Sequence, residues 1–420
     1  MYSGTPLKQR WSLRNKIGRG GYGEIYLALD LETKEHVAVK MERIDRHKRA
    51  LVLENSILRR LQDSKHTTKF ISSGRNTEYK YLVMELLGSN IWNLKKSQPN
   101  ARFTLATTIK LSVEMISAIE DLHKIGYIHR DIKPGNFGIR NSRRTKTEEG
   151  ISQSYCCIFD FGLCHKYLDS DGNVKPGREK AGFRGTARYA SIHSHEGMDL
   201  GRRDDLLSLF YMIIEMLNGE LPWHRIKNQE QIYRSKKENT NKKMCKDLPE
   251  EFTVFFEYIN GLKFEDEPNY KYLRKLLTES YIKLGFDENT KYDWEINQED
   301  KSQNKKSQKS KLKRKNSRGS KQIISSNFLE DIDKKNEIIL PSLSDNNIPQ
   351  ISIKQLQEGD ETETSSSTME VVDSDQEEAN GGMESNEFDK IFKMINEDYS
   401  SKSATTHTVM KKTSCKCIIC

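Results

Sequence analysis

The chain has 420 residues, a formal net charge of +8, and 35% hydrophobic against 31% charged residues. This composition is polar for a fully folded chain of that length, so it predicts one large domain followed by a tail. No stretch approaches the roughly 18 apolar residues of a membrane-spanning helix, and the amino terminus lacks the pattern of a secretory leader. We therefore expect an intracellular protein whose positive charge either favours acidic or phosphorylated partners or serves only solubility.

The cysteines favour a reducing compartment. Their number is odd, and no C-x-x-C pair is matched by a second pair or by histidines at metal-ligand spacing. Those in the apolar run 155–159 are expected to be small core residues rather than reactive thiols. The seven cysteines are Cys156, Cys157, Cys164, Cys245, Cys415, Cys417 and Cys420.

The first predicted elements, over Trp11–Lys40, are strands joined by turns. The first turn has the spacing G-x-G-x-x-G, and glycines there allow backbone N–H groups to approach a phosphate closely. Because these glycines lie between two strand-like runs rather than at the start of a helix, a dinucleotide-binding fold is disfavoured. The residues of this turn are Ile17, Gly18, Gly20, Gly23 and Ile25.

A lysine, Lys40, ends the third predicted strand. A buried lysine needs anionic partners, and phosphate groups would supply them. The helix predicted over Leu51–Leu61 carries Glu54, which is either the ion-pair partner of Lys40 or a solvated acid. A further strand, Tyr81–Gly88, runs into a turn, and apolar residues recur at helical spacing over Thr104–Gly126.

That helix leads into Ile128–Gly138, which fits the pattern H-R-D-x-x-x-x-N. In this pattern the Asp takes a proton from a hydroxyl group and the Asn holds a metal ion. The corresponding residues are Asp131 and Asn136, and Lys133 lies two residues after the Asp, as is typical of enzymes that act on Ser and Thr. One such string can arise by chance, so the interpretation depends on matching motifs elsewhere.

The matching motifs follow. A polar stretch at 141–154, predicted as an enlarged loop, precedes an apolar strand and the motif Asp160-Phe-Gly, in which the Asp binds metal. The next segment, 162–191, is basic and lacks the Ala-Pro-Glu ending that usually accompanies these motifs. Leu206–Leu217 is apolar nearly all round and predicts a buried helix. Asp205 opens that helix, either as an anchor for the catalytic loop or as an ordinary helix-terminal acid.

From about residue 297 the composition changes. Lys301–Lys321 holds ten Lys or Arg residues and no acid, whereas Glu358–Asp389 holds twelve acids among many Ser and Thr residues. Such blocks cannot bury enough apolar surface to fold, so we predict a disordered tail over 297–420. The basic block is a solvated linker, a nuclear-import signal or a salt-sensitive, non-specific nucleic-acid contact.

The last residues, Cys417-Ile-Ile-Cys420, have the form C-a-a-X. Lipid attachment at Cys415, Cys417 or Cys420 would give membrane contact, and it competes with the alternative of free thiols.

Taken together, residues 11–295 resemble the eukaryotic protein kinases, and specifically the casein kinase 1 superfamily. The resemblance is carried by His129-Arg-Asp-Ile-Lys-Pro-Gly-Asn136, by Phe183-Arg-Gly-Thr-Ala-Arg-Tyr-Ala-Ser-Ile192 and by Arg202-Arg-Asp-Asp205. Within the superfamily, Gly20-Gly-Tyr-Gly-Glu-Ile-Tyr26 and Ser208-Leu-Phe-Tyr-Met212 look most similar to the tau-tubulin kinases.

The resemblance implies an α+β, bilobal kinase fold over residues 11–296, with a small antiparallel β lobe carrying one main helix above a larger, mainly helical lobe. ATP and Mg²⁺ would bind in the cleft. The residues implied for the nucleotide are Ile17, Gly18, Gly20, Gly23, Ile25, Lys40, Glu54, Met84, Glu85 and Leu87. Those implied for the metal are Asn136 and Asp160, and those for catalysis are Asp131, Lys133, Asn136 and Thr186.

Substrate choice is implied less fully. The superfamily recognises primed substrates through a basic site that includes the Arg of Thr-Ala-Arg-Tyr, here Arg188, but His224-Arg225 replaces the usual Gln-Gly pair. The expected partners are protein substrates that are acidic, phospho-primed or cytoskeletal, such as tubulin or microtubule-associated proteins. We expect a cytoplasmic monomer, with nuclear entry or membrane anchoring as alternatives.

Two further expectations concern activity. A pseudokinase scaffold is disfavoured because Lys40, Asp131 and Asp160 are all present. Between positions 162 and 190 the Ser and Thr residues are Ser170 and Thr186 alone, so the enzyme is expected to be active without phosphorylation of that segment. Regulation would then come from the acidic block of the tail, either as an autophosphorylated inhibitor or, as the alternative, as an inert spacer.

Overall fold

The computed structural model describes residues 7–20, 23–45, 50–140, 155–239 and 241–296. These residues belong to one compact unit. The predictions for the loop at 141–154 and for everything from residue 297, including the charged blocks and the terminal cysteines, lie outside them. Within the described part, no helix combines the length and the apolar character that crossing a membrane requires.

The amino-terminal lobe is an antiparallel sheet with one main helix. Its elements are β1 (Trp11–Gly20), β2 (Gly23–Asp30), β3 (His36–Arg43), α1 (Ala50–Arg60), β4 (Phe70–Arg75) and β5 (Tyr79–Glu85). The strand order is β1-β2-β3-β5-β4. Because side chains alternate along a strand, Val37 and Val39 enter a small core on one face of the sheet, whereas Ala38 and Met84 join the main core that continues into the second lobe.

The second lobe is mainly helical, with two short β ribbons near the first lobe. Its helices are α2 (Ile91–Lys96), α3 (Leu105–Lys124), α4 (Ile192–His195), α5 (Arg202–Asn218), α6 (Gln229–Glu238), α7 (Asn241–Met244), α8 (Glu250–Gly261) and α9 (Tyr270–Lys283). Its strands are β6 (Tyr127–Ile128), β7 (Phe137–Arg140), β8 (Tyr155–Ile158) and β9 (His165–Lys166), with β6 paired to β9 and β7 to β8.

The sequence accounts for both ends of α3. The Thr104 hydroxyl accepts a hydrogen bond from Thr107 N, so it caps the first turn. Gly126 has a φ of +85°, the left-handed conformation in which a chain commonly leaves a helix. The helix predicted over Thr104–Gly126 is therefore confirmed.

Helix α5 occupies the centre of the second lobe. Its residues 204–217 are all buried, among them Phe210, Met212 and Ile214 with no exposed surface. The apolar pattern had predicted such a helix, and its position is confirmed. The α+β, bilobal fold is confirmed as a whole, whereas the domain boundary at residue 296 stays a prediction.

Candidate active site

Lys40 lies between two carboxylates. Its ammonium nitrogen is 2.7 Å from Glu54 Oε2 on α1 and 2.6 Å from Asp160 Oδ1, which follows β8. Burial alone would lower the pKa of Lys40, but the charges of Asp160 and Glu54 raise it. The structure thus brings together a lysine and two acids that are far apart in the sequence, at the boundary of the two lobes.

The pKa values of the two acids are shifted in opposite directions. Burial raises the pKa of Glu54 to about 7, against the opposing effect of Lys40. Burial would also raise the pKa of Asp160, but the charge and hydrogen bond of Lys40 lower it. Asp160 also has a φ of +66°, a left-handed conformation that is uncommon outside glycine and is concentrated at functional sites.

The carboxylate of Asp131 is fixed by three neighbours. Thr186 donates to its Oδ1 from the backbone N at 3.0 Å and from the hydroxyl at 2.8 Å. Asn136 Nδ2 donates to the backbone O of Asp131 at 2.9 Å and to Oδ2 at 3.2 Å. Lys133 Nζ lies 3.4 Å from Oδ2 and donates to the Thr186 hydroxyl at 3.2 Å. The structure therefore brings the predicted catalytic residues into one hydrogen-bonded group.

Glycine is required where this segment meets the catalytic loop. Gly185 has a φ of +94°, and a Cβ atom there would lie 2.4 Å from the carbonyl oxygen of Arg130. Any side chain would push Thr186 away from Asp131.

Asp205 holds the backbone of the catalytic loop. Its carboxylate accepts hydrogen bonds from His129 N at 2.7 Å and from Arg130 N at 2.9 Å, and it lies 2.8 Å from His123 Nε2. The helix terminus is instead capped by Asp204, which accepts from Gly201 N at 2.8 Å. The contacts of Asp205 therefore match the first alternative, an anchor for the catalytic loop, rather than the second, an ordinary helix-terminal acid.

The predicted nucleotide residues surround the same cleft. In the β1–β2 register Gly18 pairs with Ile25 and Gly20 with Gly23, while the loop tip at 21–22 lies outside the described residues. A Cβ atom on Gly23 would lie 2.3 Å from Met41 O, so that turn also requires glycine.

Strands β3 and β5 place two of the predicted nucleotide residues side by side. Ala38 pairs with Met84 across these strands, and Lys40 pairs with Leu82, so Met84 and Lys40 share one face of the sheet. Leu87 lies beyond the end of β5, close to Gly138 on β7. Ile17, another of the predicted nucleotide residues, lies on β1 and is half-buried.

The comparison with known families decides the identity of this fold. The protein kinase domain family matches residues 11–328. The chain belongs to the protein kinase family. A probable serine/threonine-protein kinase of Dictyostelium discoideum is 43% identical to this kinase over 296 residues, which are 70% of the chain. The chain spans 58% of the length of that relative.

A protein kinase domain uses ATP and a divalent metal, and the residues present fit a metal. Asp160 supplies a carboxylate, and because Asn136 Nδ2 is turned toward Asp131, its amide oxygen is the atom left to face a cation. Hard divalent cations prefer such oxygen ligands and need only one or two protein groups beside phosphate oxygens. Among the described residues, no cluster of three or more His, Cys, Asp or Glu side chains has metal-site geometry.

Arg188 of this kinase is turned toward an acid. Its guanidinium lies 3.7 Å from Glu215 Oε1, contacts the backbone O of His224 at 3.4 Å and lies 5.8 Å from the centre of the Trp92 ring. Glu215 offsets part of its charge, so the role of Arg188 as a substrate-phosphate site stays a prediction.

The hinge between the lobes contains a polar contact that no sequence motif indicates. Arg140, at the end of β7, bonds the Glu85 carboxylate with Nε at 2.8 Å and Nη2 at 2.9 Å. It also donates to the backbone oxygens of Lys65 and Thr67. Only the backbone of Glu85 had been expected to matter, and no sequence pattern pairs residues 55 positions apart.

Lys236 was also missed. It is buried on α6, where it donates a hydrogen bond to the segment after Thr186. Its spacing along the helix could have indicated that burial. It follows Ile232 by one helical turn and so occupies a core position of that helix.

Proposed function

We propose that this chain is an ATP-dependent serine/threonine protein kinase that transfers the γ-phosphate of ATP to Ser or Thr hydroxyls of protein substrates. The observation that carries the proposal is that Lys40, held by Glu54 and Asp160, lies in the same cleft as an Asp131 carboxylate fixed by Thr186. The Dictyostelium relative supports the same activity by its name, a probable serine/threonine-protein kinase.

The residues take the following roles in this proposal. Lys40 and the backbone N–H groups of the glycine turn bind the phosphates, and Glu54 orients Lys40. Asp131 orients the substrate hydroxyl and accepts its proton as the new O–P bond forms and the bond from the γ-phosphorus to the β–γ bridging oxygen of ATP breaks. Lys133 stabilises the negative charge on the transferred group, and Thr186 keeps Asp131 in place.

Mg²⁺ is the metal we propose, held by Asp160 and Asn136; when bound, it supplies positive charge that offsets the charge gathering on the phosphate oxygens. On the adenine side, Met84 lines the pocket and the backbone near Glu85 and Leu87 bonds the base edge. Most of the rate gain then comes from positioning and electrostatic stabilisation.

The finer assignment rests on the motifs of the sequence. We place the chain in the casein kinase 1 superfamily, near the tau-tubulin kinases, as a monomeric and cytoplasmic enzyme that is active without phosphorylation of its 162–190 segment. Its substrates are acidic, phospho-primed or cytoskeletal proteins. Arg188 contacts the substrate phosphate in this scheme, and exchange of its partner Glu215 for Gln would be expected to strengthen that contact.

Phosphorylation of casein by the purified chain tests the proposed function. Lys40→Met and Asp160→Asn should each lower kcat/KM by about a thousandfold or more, because each removes a charge that faces the phosphates or the metal. The unfolding temperatures of both variants should stay close to that of wild type. Measuring them separates a loss of chemistry from a loss of folding.

Two exposed positions provide matched controls. Lys271→Met and Asp247→Asn make the same chemical changes far from the cleft and should leave activity unchanged. Activity of the Lys40→Met or Asp160→Asn protein equal to that of its control would contradict the mechanism.

A further inference from the structure

Lys236 is a buried lysine whose side-chain nitrogen has three polar neighbours. Only 3% of the residue is exposed. Its ammonium nitrogen donates to Ala187 O at 2.7 Å and to Ala190 O at 2.6 Å, and lies 3.2 Å from His195 Nε2. The two carbonyl oxygens accept hydrogen bonds from the lysine, and the His195 ring nitrogen is its third polar neighbour.

The surroundings explain why a lysine is tolerated at this place. The ammonium nitrogen lies 5.0 Å from the centre of the Tyr211 ring and 5.3 Å from that of Trp223, and aromatic faces attract cations. Burial and the nearby Lys236 charge lower the pKa of His195 to about 3, which keeps its ring neutral and able to accept a hydrogen bond. A buried lysine would be costly without such partners.

The other residues of the same short segment are fixed as well. Trp223 Nε1 donates to Arg188 O at 2.8 Å. The Tyr189 hydroxyl donates to the buried carboxylate of Glu215 at 2.8 Å. Every residue from 187 to 190 therefore has a hydrogen bond to α5, to α6 or to the turn between them.

This segment borders the place where a substrate hydroxyl must lie. It begins directly after Thr186, whose backbone N and hydroxyl both bond the carboxylate of Asp131. A peptide that brings its hydroxyl to Asp131 must pass along the residues that follow Thr186. The Ala-Pro-Glu ending that usually closes this segment is absent, so its conformation must be held by other residues.

We propose that Lys236 is a positioning residue for the protein substrate: it holds the backbone of residues 187–190 in the conformation that receives the peptide. The proposal rests on the proposed kinase function and extends it to a residue outside the catalytic group. It also gives a physical reason for activity without a phosphate in this segment, because hydrogen bonds from Lys236 already fix it.

Steady-state kinetics of the full chain test the proposal, with casein and ATP varied separately. Lys236→Met keeps the apolar stem and removes all three donors. The KM for casein should rise roughly 10-fold and kcat/KM for casein should fall roughly 10- to 100-fold, while the KM for ATP stays within about twofold of wild type. A residue of merely structural importance would not separate the two substrates in this way.

The neighbouring lysine is a matched control. Lys237 lies on the same helix with about half of its side chain exposed, paired to Glu196, so Lys237→Met should leave both KM values unchanged. Trp223→Phe is the second test variant, because it keeps an aromatic ring but lacks the indole N–H that bonds Arg188 O, and it should raise the KM for casein alone. If the Lys236→Met chain does not fold, the casein KM of the Trp223→Phe protein tests the proposal instead.

Each outcome has one meaning. A casein KM in the Lys236→Met and Trp223→Phe proteins equal to that of Lys237→Met overturns the proposal, as does an equal loss of affinity for ATP and casein. Absence of phosphorylation by the wild-type chain is a different result, because it counts against the proposed function itself.

Discussion

Two buried lysines of this kinase show how surroundings decide what one residue type does. Burial alone would lower the pKa of Lys40, but the charges of Asp160 and Glu54 raise it, so Lys40 stays charged and suited to phosphate. Lys236 faces carbonyl oxygens and aromatic rings, and burial lowers its pKa well below the usual value. In the proposed function the first residue binds phosphate electrostatically, whereas the second holds the backbone by hydrogen bonds.

The Arg140–Glu85 pair offers a further test at the level of single residues. Both side chains are largely buried, and the guanidinium joins β7 to the hinge. Because the base edge of ATP is proposed to bond the backbone near Glu85, Arg140→Met should weaken ATP binding several-fold. A double-mutant cycle with Glu85→Gln, read as the Kd of a fluorescent ATP analogue, should give a coupling energy of about 1–2 kcal/mol.

An exposed pair of the same residue types provides the control for this cycle. Arg234 and Glu230 form an ion pair on α6 with side-chain exposures of 70% and 58%, and such pairs contribute little. Arg234→Met should leave the Kd unchanged. A coupling energy near zero for the hinge pair would show that Arg140 does not act through Glu85.

At the scale of elements, α5 organises the second lobe through its buried acids. Asp204 caps the helix and bonds His193 Nδ1 at 2.8 Å. Asp205 bonds the catalytic loop, and Glu215 bonds Tyr189 of the substrate-side segment. The same apolar helix therefore fixes both sides of the catalytic centre.

Exchange of Asp205 for Asn tests this anchor and predicts a dependence on pH. Asn would place an NH₂ group against N–H donors, so the free energy of unfolding should fall by about 2–4 kcal/mol at neutral pH. Burial would raise the pKa of Asp205, but His123 and His129 lower it below the ordinary 3.8. A lowered carboxyl pKa stabilises the fold above the unfolded-chain value, and this contribution is lost as the pH falls through the lower folded value.

Urea unfolding at a series of pH values measures the effect. The difference between wild type and Asp205→Asn should stay constant down to about pH 5 and shrink only in more acidic solution. The exposed Asp247→Asn variant serves as the control and should match wild type throughout. A difference that grows as the pH falls would contradict the assigned direction of the pKa.

Elements and motif residues could be predicted from the sequence because their signals are local. The glycine spacing, the apolar run of α5 and the cap at Thr104 each lie within a few residues of the structure they specify. Arg140 and Lys236 could not be predicted as functional contacts, since their partners lie 41 to 75 positions away along the chain. Charged residues on such segments are usually solvated, and although helical spacing could have indicated that Lys236 is buried, only the packing of the lobes shows what the two residues contact.

At the scale of the whole molecule, the last described residues close the second lobe. Asp293 accepts hydrogen bonds from the backbone N and hydroxyl of Thr104 and from the hydroxyl of Thr107, at the amino terminus of α3. Tyr292 stacks on Trp294 at 4.6 Å between ring centres. These contacts tie residues 292–294 to the start of the helix that leads into the catalytic loop.

The domain boundary at residue 296 can be tested with two shortened chains. A chain that ends at Ile296 keeps these contacts and should unfold at the same temperature as the full chain. A chain that ends at Asn289 loses the bonds of Asp293, the buried Tyr292 ring and the half-buried Trp294 ring, and it should be less stable by about 4–6 kcal/mol. Asp293→Asn in the longer chain should show part of that loss, because its amide can accept hydrogen bonds from fewer of the donors at Thr104 and Thr107.

Calorimetry of the four proteins separates two results that would contradict this prediction. A chain ending at Ile296 that is as unstable as the shorter one would place the boundary further along, whereas equal stability of all four would show that the docked turn contributes nothing.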